Sequence, residues 1–450
     1  MRILLTAPPL IEYAPDEKEE HMHSCPDLAL YLLAGVVEAE GHQVQVIDPT
    51  NFESVFSSPK LLKKTIAGID LVGISVNTCT WPRGRKLILD LPQPPSGPLI
   101  ALGGPHVNTM DEYLLRNSRV DYVVRSEAEK SFPALLRTLE KGQDPALAPG
   151  ISFLRGEDLV RNPLAPPLTP EEMNELPLPK FELMPADYYD VIPLETSRGC
   201  LSSCIFCSSP HKRKWRGIKP EQVAERLSQH IPFLSRSTQK AFFLVDDCFT
   251  GDHDRLIKIS RQLSGFSHPL VFEARIADLV EPGMLEAVSR LPIKVMDMGI
   301  ESGYQEGLNR VRKKISLQQI QTAADFLVLK EFKNRARFSF VIGFPWETRK
   351  EIFTTLEFAF KLSARVQSRL NINWLTVFPG SPIFKNRERW GIKIEEAIYN
   401  QERWWMQKDF FQNTHPKLDL KKDPEAVFAF LKLLKELFPT LKAEGILRWY

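Results

Sequence analysis

The sequence lacks several features that would each indicate a common class of protein. Its 450 residues contain only six cysteines, too few for the disulfide framework of a secreted scaffold. No apolar run reaches the roughly eighteen residues that a membrane-spanning helix needs. The apolar run at residues 3–7 is a predicted strand, too short for the core of a signal peptide. We therefore expect a cytoplasmic protein with reduced thiols and no membrane span.

The chain also carries no strong charge of either sign. Its 58 Lys and Arg residues balance 56 Asp and Glu residues, and the formal net charge is +2. Such a balance provides no electrostatic footprint for nucleic acid, so a nucleic-acid partner is not expected. A Gly-x-Gly-x-x-Gly fingerprint is absent as well, which disfavours a nicotinamide or flavin dinucleotide. The length allows two or three domains.

Three of the six cysteines stand close together. Cys200, Cys204 and Cys207 follow an extended apolar run at residues 191–194, with C-x3-C-x2-C spacing. Three thiolates can bind three irons of a cubane cluster, and the fourth iron then stays open for a small molecule. A structural zinc site is the alternative, with His211 as fourth ligand, but this spacing is not that of a zinc finger or ribbon.

The first 145 residues alternate strand and helix patterns. The predicted strands are at residues 3–7, 43–47, 71–76, 98–102 and 120–124, and the predicted helices are at 28–40, 111–116 and 131–139. This alternation predicts a doubly wound parallel sheet, whose ligand binds at the carboxyl ends of the strands. Small and polar residues collect at those ends: Pro8, Ser75, Asn77, Thr78, Thr80, Trp81, Gly103, Gly104, His106, Ser126, Glu127 and Glu129.

A second alternating region follows a proline-rich stretch. Residues 146–190 are a predicted linker that contains a small hairpin at 150–161. Residues 191–385 then contain six predicted strands, at 191–196, 241–245, 270–274, 294–298, 338–342 and 371–377. Six strands that alternate with helices predict an incomplete parallel barrel, with its chemistry at the carboxyl ends of the strands.

The cysteine spacing after a strand, with Phe206 before the last cysteine, resembles the signature of the radical S-adenosylmethionine (SAM) enzymes. In that family the cysteines hold a [4Fe-4S] cluster, SAM chelates the open iron, and an electron from the cluster cleaves SAM to a 5'-deoxyadenosyl radical. The resemblance implies that Cys200, Cys204 and Cys207 are the metal ligands. It also implies an external electron donor of flavodoxin or ferredoxin type.

The other strand ends of the second region resemble the same family. A sulfonium ligand with an amine, a carboxylate, a ribose and an adenine needs carboxylates, an arginine and exposed backbone. The resemblance implies a SAM-binding set consisting of Phe206, Asp246, Asp247, Glu273, Arg275, Glu301, Ser302, Ile342, Gly343, Phe344 and Pro345.

Residues 70–75, 102–106 and 120–127 resemble the cobalamin-binding domain that precedes many radical SAM domains. The Asp-x-His-x-x-Gly motif, whose His ligates cobalt in other cobalamin proteins, is absent. Two alternatives remain: cobalamin bound without that His, or a vestigial domain that has lost the cofactor. We expect cobalamin to be retained at the twelve strand-end residues named above for the first sheet.

The last region, residues 386–450, carries no such motif and is predicted to be a small helical cap, with an amphipathic helix at 424–441. Its aromatic residues could line a substrate pocket or form packing core, and packing is the commoner role. These residues are Tyr399, Trp404, Trp405, Phe410 and Phe411.

Taken together, the patterns predict an α/β protein with four parts: a Rossmann-like cobalamin-binding domain (1–145), the linker (146–190), a partial (βα)6 radical SAM barrel (191–385) and the cap (386–450). The implied function is a radical SAM C-methyltransferase, which moves a methyl group from methylcobalamin to an unactivated carbon after hydrogen abstraction. A non-methylating cyclisation, oxidation or rearrangement is one alternative. A non-catalytic sensor with a structural metal is another. The substrate, a small molecule or a peptide, and any catalytic acid or base stay unassigned.

Overall fold

The computed structural model describes residues 1–9, 25–92, 96–211, 214–419, 421–438 and the backbone of 443–444. The chain divides into two compact units, each built on a seven-stranded sheet. The N-terminal unit consists of Met1–Asp190 and Glu395–Trp404, and the C-terminal unit of Val191–Ile394 and Trp405–Tyr450. The chain therefore returns to the first unit for ten residues, which the sequence patterns did not predict.

The sheet of the N-terminal unit has the order β2-β1-β3-β4-β5-β6-β7. Strands β1 to β5 are parallel, while the hairpin β6–β7 pairs antiparallel with β5 and extends the sheet. Its elements are β1 (Arg2–Thr6), α1 (Leu28–Ala39), β2 (Gln43–Ile47), α2 (Pro49–Phe56), α3 (Pro59–Thr65), β3 (Leu71–Ser75), α4 (Trp81–Asp90), β4 (Leu99–Gly103), α5 (Val107–Asn117), β5 (Tyr122–Val124), α6 (Ala128–Glu140), β6 (Ile151–Arg155), β7 (Asp158–Arg161) and α7 (Pro170–Glu175).

Helices on this sheet bury its strands, so β3 is apolar along nearly its whole length, as expected for parallel strands covered on both faces. Helices α2, α3 and α4 are absent from the predicted set. Each has a proline at its first or second position, and Asp48 and Ser58 cap the first two. A capping side chain followed by proline is a helix-start signal, and it was available in the sequence.

The sheet of the C-terminal unit has the order β16-β15-β14-β13-β12-β11-β8, and all its pairings are parallel. The six predicted strands are present, and the short β16 adds a seventh. The elements are β8 (Val191–Leu194), β9 (Ser197–Arg198), β10 (Arg216–Gly217), α8 (Pro220–His230), β11 (Ala241–Leu244), α9 (His253–Gln262), β12 (Leu270–Ala274), α10 (Met284–Arg290), β13 (Ile293–Glu301), α11 (Gln305–Arg310), α12 (Leu317–Leu329), β14 (Ala336–Ile342), α13 (Arg349–Val366), β15 (Arg369–Trp374), α14 (Pro382–Lys385), α15 (Lys408–Thr414), α16 (Asp423–Leu437) and β16 (Ala443–Glu444).

The C-terminal part is mostly helical, as expected. The predicted helix at 424–441 corresponds to α16, while its last predicted residues, 439–441, lie outside the described residues. Among the described helices, none combines the length and apolar character that crossing a bilayer requires.

Candidate functional site

The three clustered cysteines lie in a loop that follows β8. The amide of Ile205 donates to the carbonyl of Val311 at 3.1 Å, and the amide of Ile383 donates to the carbonyl of Ile205 at 2.8 Å. Gly199, before the first cysteine, has φ +87°, and a Cβ there would lie 2.6 Å from the carbonyl oxygen of Lys214. Only glycine fits that position, so the backbone conformation of the loop is fixed immediately before the first cysteine.

The cysteine sulfurs sit in an environment that favours thiolates at two positions. Backbone amides of Ser202 and Ser209 donate to the Sγ atoms of Cys200 and Cys207, each at 3.4 Å. A hydrogen bond from the buried thiol of Cys248 contributes most to lowering the pKa of Cys200 to about 6. Donors to a sulfur stabilise its charged form, and a metal cluster needs that form.

The remaining cysteine of the loop, Cys204, is buried, and desolvation raises its pKa to about 11. None of the three cysteines forms a disulfide bond with another described residue. Among the described residues, no three His, Cys, Asp or Glu side chains lie close enough together to bind one metal ion. A cubane cluster binds each cysteine through a different iron, so its ligands need not converge on one point.

Lys313 is a functional candidate that sequence reasoning missed. Its Nζ donates to Glu301 Oε1 at 2.7 Å, and their side chains are only 15% and 8% exposed. Burial disfavours the ammonium, but Glu301 and the nearby Cys204 and Cys200 outweigh it and raise the pKa of Lys313. A cation fixed beside the cysteines can bind a carboxylate. The signal was the short basic run at residues 310–314.

Two predicted carboxylates remain accessible at strand ends. Asp247, exposed after β11, accepts the amide of Gly199 at 3.1 Å. Glu273 on β12 keeps solvent-accessible surface, yet desolvation and the carboxylates of Asp297 and Asp247 raise its pKa to about 7. An accessible carboxylate that is poorly solvated lines a concave site and can accept hydrogen bonds from an amine.

Three other predicted residues are used inside the protein. Asp246 is 2% exposed and accepts from the amide and hydroxyl of Thr196 and from the Ser197 hydroxyl, at 2.6–2.7 Å. Arg275 lies 3.6 Å from Asp278. Ser302 is fully buried and donates to the carbonyl of Tyr304 at 3.4 Å. These contacts hold the strand-end loops in place.

The predicted segment 342–345 lies beside the cysteine loop, because the rings of Phe206 and Phe344 meet edge to face at 5.9 Å. Ile342 and Pro345 are buried.

The loop of that segment is fixed by the fully buried Glu347, which accepts the amides of Gly343 at 2.7 Å and Phe344 at 2.9 Å. The hydroxyl of Tyr304 donates to the same carboxyl at 3.0 Å. Gly343 has φ +80°, and a Cβ there would lie 2.5 Å from the Trp374 ring. Burial raises the pKa of Glu347 to about 7.

In the N-terminal unit, the glycine pair at the end of β4 forms a cradle. Gly104 has φ +94°, and a Cβ there would lie 2.4 Å from the carbonyl oxygen of Val76. A Cβ on Gly103 would meet no atom within 4 Å. One glycine is therefore required by the turn, while the other opens onto free space that a ligand can approach.

His106 carries a buried polar atom without a partner. Its Nδ1 lies 3.2 Å from the Thr78 hydroxyl, while its Nε2 has no hydrogen-bond partner among the described residues. Burial lowers the pKa of His106 to about 3, so the ring is neutral. A buried polar atom without a partner is rare and needs an explanation, and contact with a ligand is one such explanation. A corrin ring bordered by amide side chains fits this atom and the open space at Gly103.

The remaining predicted residues of this sheet mainly shape loops. Asn77 Oδ1 accepts the amides of Cys79 and Thr80, both at 2.9 Å, and the buried carboxyl of Glu127 accepts the amide of Leu168 at 2.7 Å. Ser126, with φ +67°, donates its amide to Asn108. Pro8, Thr78, Thr80 and Trp81 are buried, Ser75, Gly103, Gly104 and Glu129 are partly exposed, and Asn77 is exposed.

Two carboxylates at these strand ends were missed. Asp27 hydrogen-bonds Ser75, and Asp48 accepts the Tyr189 hydroxyl at 2.8 Å. Both cap helices directly after strand or loop residues, which was the signal in the sequence.

The aromatic residues of the last region divide between the two units. Tyr399 and Trp404 are fully buried in the N-terminal unit. Phe410 and Phe411 are buried in the C-terminal unit, and Trp405 is partly exposed. The packing alternative is therefore correct for the four buried rings.

Two protein families match the chain: the B12 binding domain over residues 22–136 and the radical SAM superfamily over residues 194–359. An uncharacterized methyltransferase of Pyrococcus horikoshii is 33% identical over 380 residues, which are 80% of this chain and 78% of the relative. The anaerobic magnesium-protoporphyrin IX monomethyl ester cyclase of Synechocystis is 24% identical, over 70% of this chain and 63% of the relative.

Among solved structures, the chain resembles the radical SAM methyltransferase TsrM from Kitasatospora setae, with tryptophan and a SAM analogue bound. The TM-score is 0.73 at 16% identity, covering 96% of this chain and 88% of TsrM. Another TsrM structure contains cobalamin and a [4Fe-4S] cluster. These similarities confirm the expected fold, in which an α/β cobalamin-binding domain precedes an α/β radical SAM domain.

Proposed function

The chain belongs to the radical SAM enzymes that carry a cobalamin-binding domain, and from that premise we propose that it is a C-methyltransferase acting on an unactivated carbon. Its cofactors are a [4Fe-4S] cluster, SAM and cobalamin. When bound, the cluster and SAM supply a 5'-deoxyadenosyl radical, and cobalamin supplies the methyl group. The enzyme class excludes the alternative of a non-catalytic sensor.

In the C-terminal unit, Cys200, Cys204 and Cys207 hold the cluster. Lys313 binds the carboxylate of SAM, and Glu273 and Asp247 accept hydrogen bonds from its amine. Phe206 and residues 342–345 flank the adenine. Asp246, Arg275, Glu301 and Ser302 act through the loops and the ion pair that they fix. The support is the convergence of these groups around one cysteine loop.

In the N-terminal unit, the open space at Gly103 and the Nε2 atom of His106 would receive the corrin ring and its amide side chains. The hydroxyl of Thr78 orients the imidazole of His106. Asn77, Thr80, Trp81, Ser126 and Glu127 keep the loops in shape, and Pro8, Ser75, Gly104 and Glu129 complete the strand-end surface. Since the Asp-x-His-x-x-Gly motif is absent, no residue of that motif ligates cobalt.

One observation carries the proposal of methyl transfer. The Pyrococcus relative named a methyltransferase aligns over 80% of this chain, which is too long a stretch to lie within either sheet. The similarity therefore extends over both cofactor-binding regions. A methyl donor and a radical initiator in one chain suit methylation of a carbon that has no nucleophilic character.

The test starts with anaerobic reconstitution with iron, sulfide and cobalamin. We expect about four irons and about one cobalt per chain. The loaded protein is then incubated with a reductant, SAM carrying a trideuteromethyl group, and fractionated cell extract. A product that gains one trideuteromethyl group, with formation of 5'-deoxyadenosine and S-adenosylhomocysteine, supports the proposal. Cobalt that never binds would overturn it.

The second candidate is a non-methylating cyclisation, oxidation or rearrangement. The similarity to the Synechocystis cyclase favours it, because that relative also aligns over 70% of this chain. The same experiment separates the two functions. Formation of 5'-deoxyadenosine and an altered product without the label would replace the methyltransferase proposal with this one.

The proposed partners are a small-molecule or peptide substrate and an external one-electron donor of flavodoxin or ferredoxin type, in the cytoplasm. Reduction of the reconstituted cluster by each purified donor, followed by its visible spectrum, tests the second partner. A cluster that no such donor reduces would contradict it.

A further inference from the structure

The ten residues Glu395–Trp404, which we call the crossing segment, belong to the N-terminal unit although the chain on both sides of them belongs to the C-terminal unit. Half of the segment is the short 3-10 helix Glu396–Asn400. The predicted cobalamin-binding domain ends at residue 145, so none of its predicted strand-end residues lies in this segment.

The crossing segment is bonded to the loop that follows β3. The indole Nε1 of Trp404 donates to the carbonyl of Thr78 at 3.1 Å. Asn400 bridges two side chains: its Oδ1 accepts from Trp81 Nε1 and its Nδ2 donates to the Tyr113 hydroxyl, both at 2.8 Å. These bonds fix the loop and the start of α4 from outside the sheet.

One ring of the crossing segment also lies against His106. The Trp81 ring stacks on His106 with centroids 5.6 Å apart, and the Tyr399 ring meets its edge at 6.4 Å. The Trp404 ring in turn packs on Tyr399 at 4.7 Å. The orientation of His106, whose Nε2 lacks a partner, thus depends on residues about 300 positions further along the chain.

We propose that Tyr399, Asn400 and Trp404 are positioning residues for the cobalamin site. They hold the Thr78 loop and the His106 ring in the shape that receives the corrin edge. This inference rests on the proposed cobalamin-binding residues, and it adds a part of the chain that lies outside the cobalamin-binding domain match at residues 22–136.

Asn400→Ala is the test, in the full-length reconstituted protein. It removes both bridging hydrogen bonds, and we expect cobalamin to bind about tenfold more weakly, measured by equilibrium dialysis. Iron and sulfide content should not change. The visible spectrum of the bound cofactor should shift, because the ring facing it is no longer held in one orientation.

The matched control is Asn162→Ala. Asn162 is another asparagine of the N-terminal unit whose side chain makes two hydrogen bonds: its Nδ2 donates to the carbonyls of Pro145 at 2.9 Å and Ala148 at 2.6 Å. It should lower thermal stability by a similar amount and leave cobalamin binding unchanged. If the control weakens cobalamin as much as Asn400→Ala does, the effect is general destabilisation and the proposal is wrong.

Asn400→Asp provides the rescue. A carboxylate can accept from Trp81 and from the Tyr113 hydroxyl, so cobalamin affinity should return most of the way to that of the wild type. Unchanged affinity in Asn400→Ala would overturn the proposal. A wild-type protein that binds no cobalamin would instead overturn the proposed function, so the two failures are distinguishable.

Discussion

In both sheets the proposed ligand-binding residues lie at the carboxyl ends of the strands, but their surroundings differ. In the N-terminal unit, the strand-end polar groups mostly satisfy one another, as Asn77 does with Cys79 and Thr80. In the C-terminal unit, the ion pair of Lys313 and Glu301 and the carboxyl of Glu273 lie in a poorly solvated site. A bulky neutral cofactor needs shape and a few hydrogen bonds, whereas a small zwitterionic one needs placed charges.

The largest expected effect is confined to the cofactors of the C-terminal unit. Cys204→Ala removes one of three cluster ligands, so iron should be lost and cleavage of SAM abolished. Cobalamin binding should stay at the wild-type level, because Cys204 belongs to the C-terminal unit. Metal analysis and dialysis of the same preparation measure both. Loss of cobalt together with iron would show that the units do not load independently.

The next prediction concerns the placed charges. Lys313→Met should weaken SAM binding about 30-fold, because a charge-assisted hydrogen bond contributes about 2 kcal/mol. The exposed neighbour Lys314 is the control, and Lys314→Met should bind SAM normally. Calorimetric titration of the cluster-loaded variants measures both. Equal affinities would remove Lys313 from the SAM site.

A pH dependence distinguishes the C-terminal unit further. The pKa of Glu347 is raised from 4.5 to about 7, so its protonated form stabilises the fold below pH 4.5 and that stability is lost as the pH rises through about 7. The loss is about 3 kcal/mol by the usual conversion of a pKa shift. Glu347→Gln keeps an acceptor oxygen for the two backbone amides and cannot ionise, so it should abolish this loss, measured by denaturant midpoints from pH 4 to 9.

The partly exposed Glu351, in the first turn of α13, is the control for that series. Glu351→Gln should keep the wild-type decline in stability above pH 4.5. A Glu347→Gln variant that declines as steeply as the wild type would show that Glu347 is already ionised in the folded protein.

The smallest effect tests the shape of the N-terminal site. Gly103→Ala adds a methyl group in open space, so folding should be unaffected while cobalamin binds several-fold more weakly. Gly104→Ala places its Cβ against the Val76 carbonyl and should lower the melting temperature instead. Thermal unfolding and dialysis separate the two variants. Normal cobalamin affinity in Gly103→Ala would place the corrin ring elsewhere.

Sequence and structure agree best where the signal is local. The spacing of Cys200, Cys204 and Cys207 and the alternation of apolar segments depend on neighbouring residues, so both sheets were predictable. Lys313 was not, because its position beside Cys204 results from the path of the chain after β13. Asp246 shows the opposite case, since its motif position predicted a ligand contact but Thr196 and Ser197 occupy its carboxyl.

The crossing segment was the least predictable part. A ten-residue segment with two large aromatic rings has the same sequence pattern whether it packs on the unit of its sequence neighbours or on the other unit. Only the fold shows that Trp404 reaches Thr78.

This segment also limits how the gene for such a protein can change by recombination. An exchange of residues 1–190 by recombination would bring in a new sheet without the surface that receives Tyr399 and Trp404. The incoming sheet would not be matched to Tyr399 and Trp404, and these two rings would have no complementary surface to pack against. Residues 1–190 and the crossing segment therefore have to change together, and an exchange of the first sheet alone is expected to leave both without their partner.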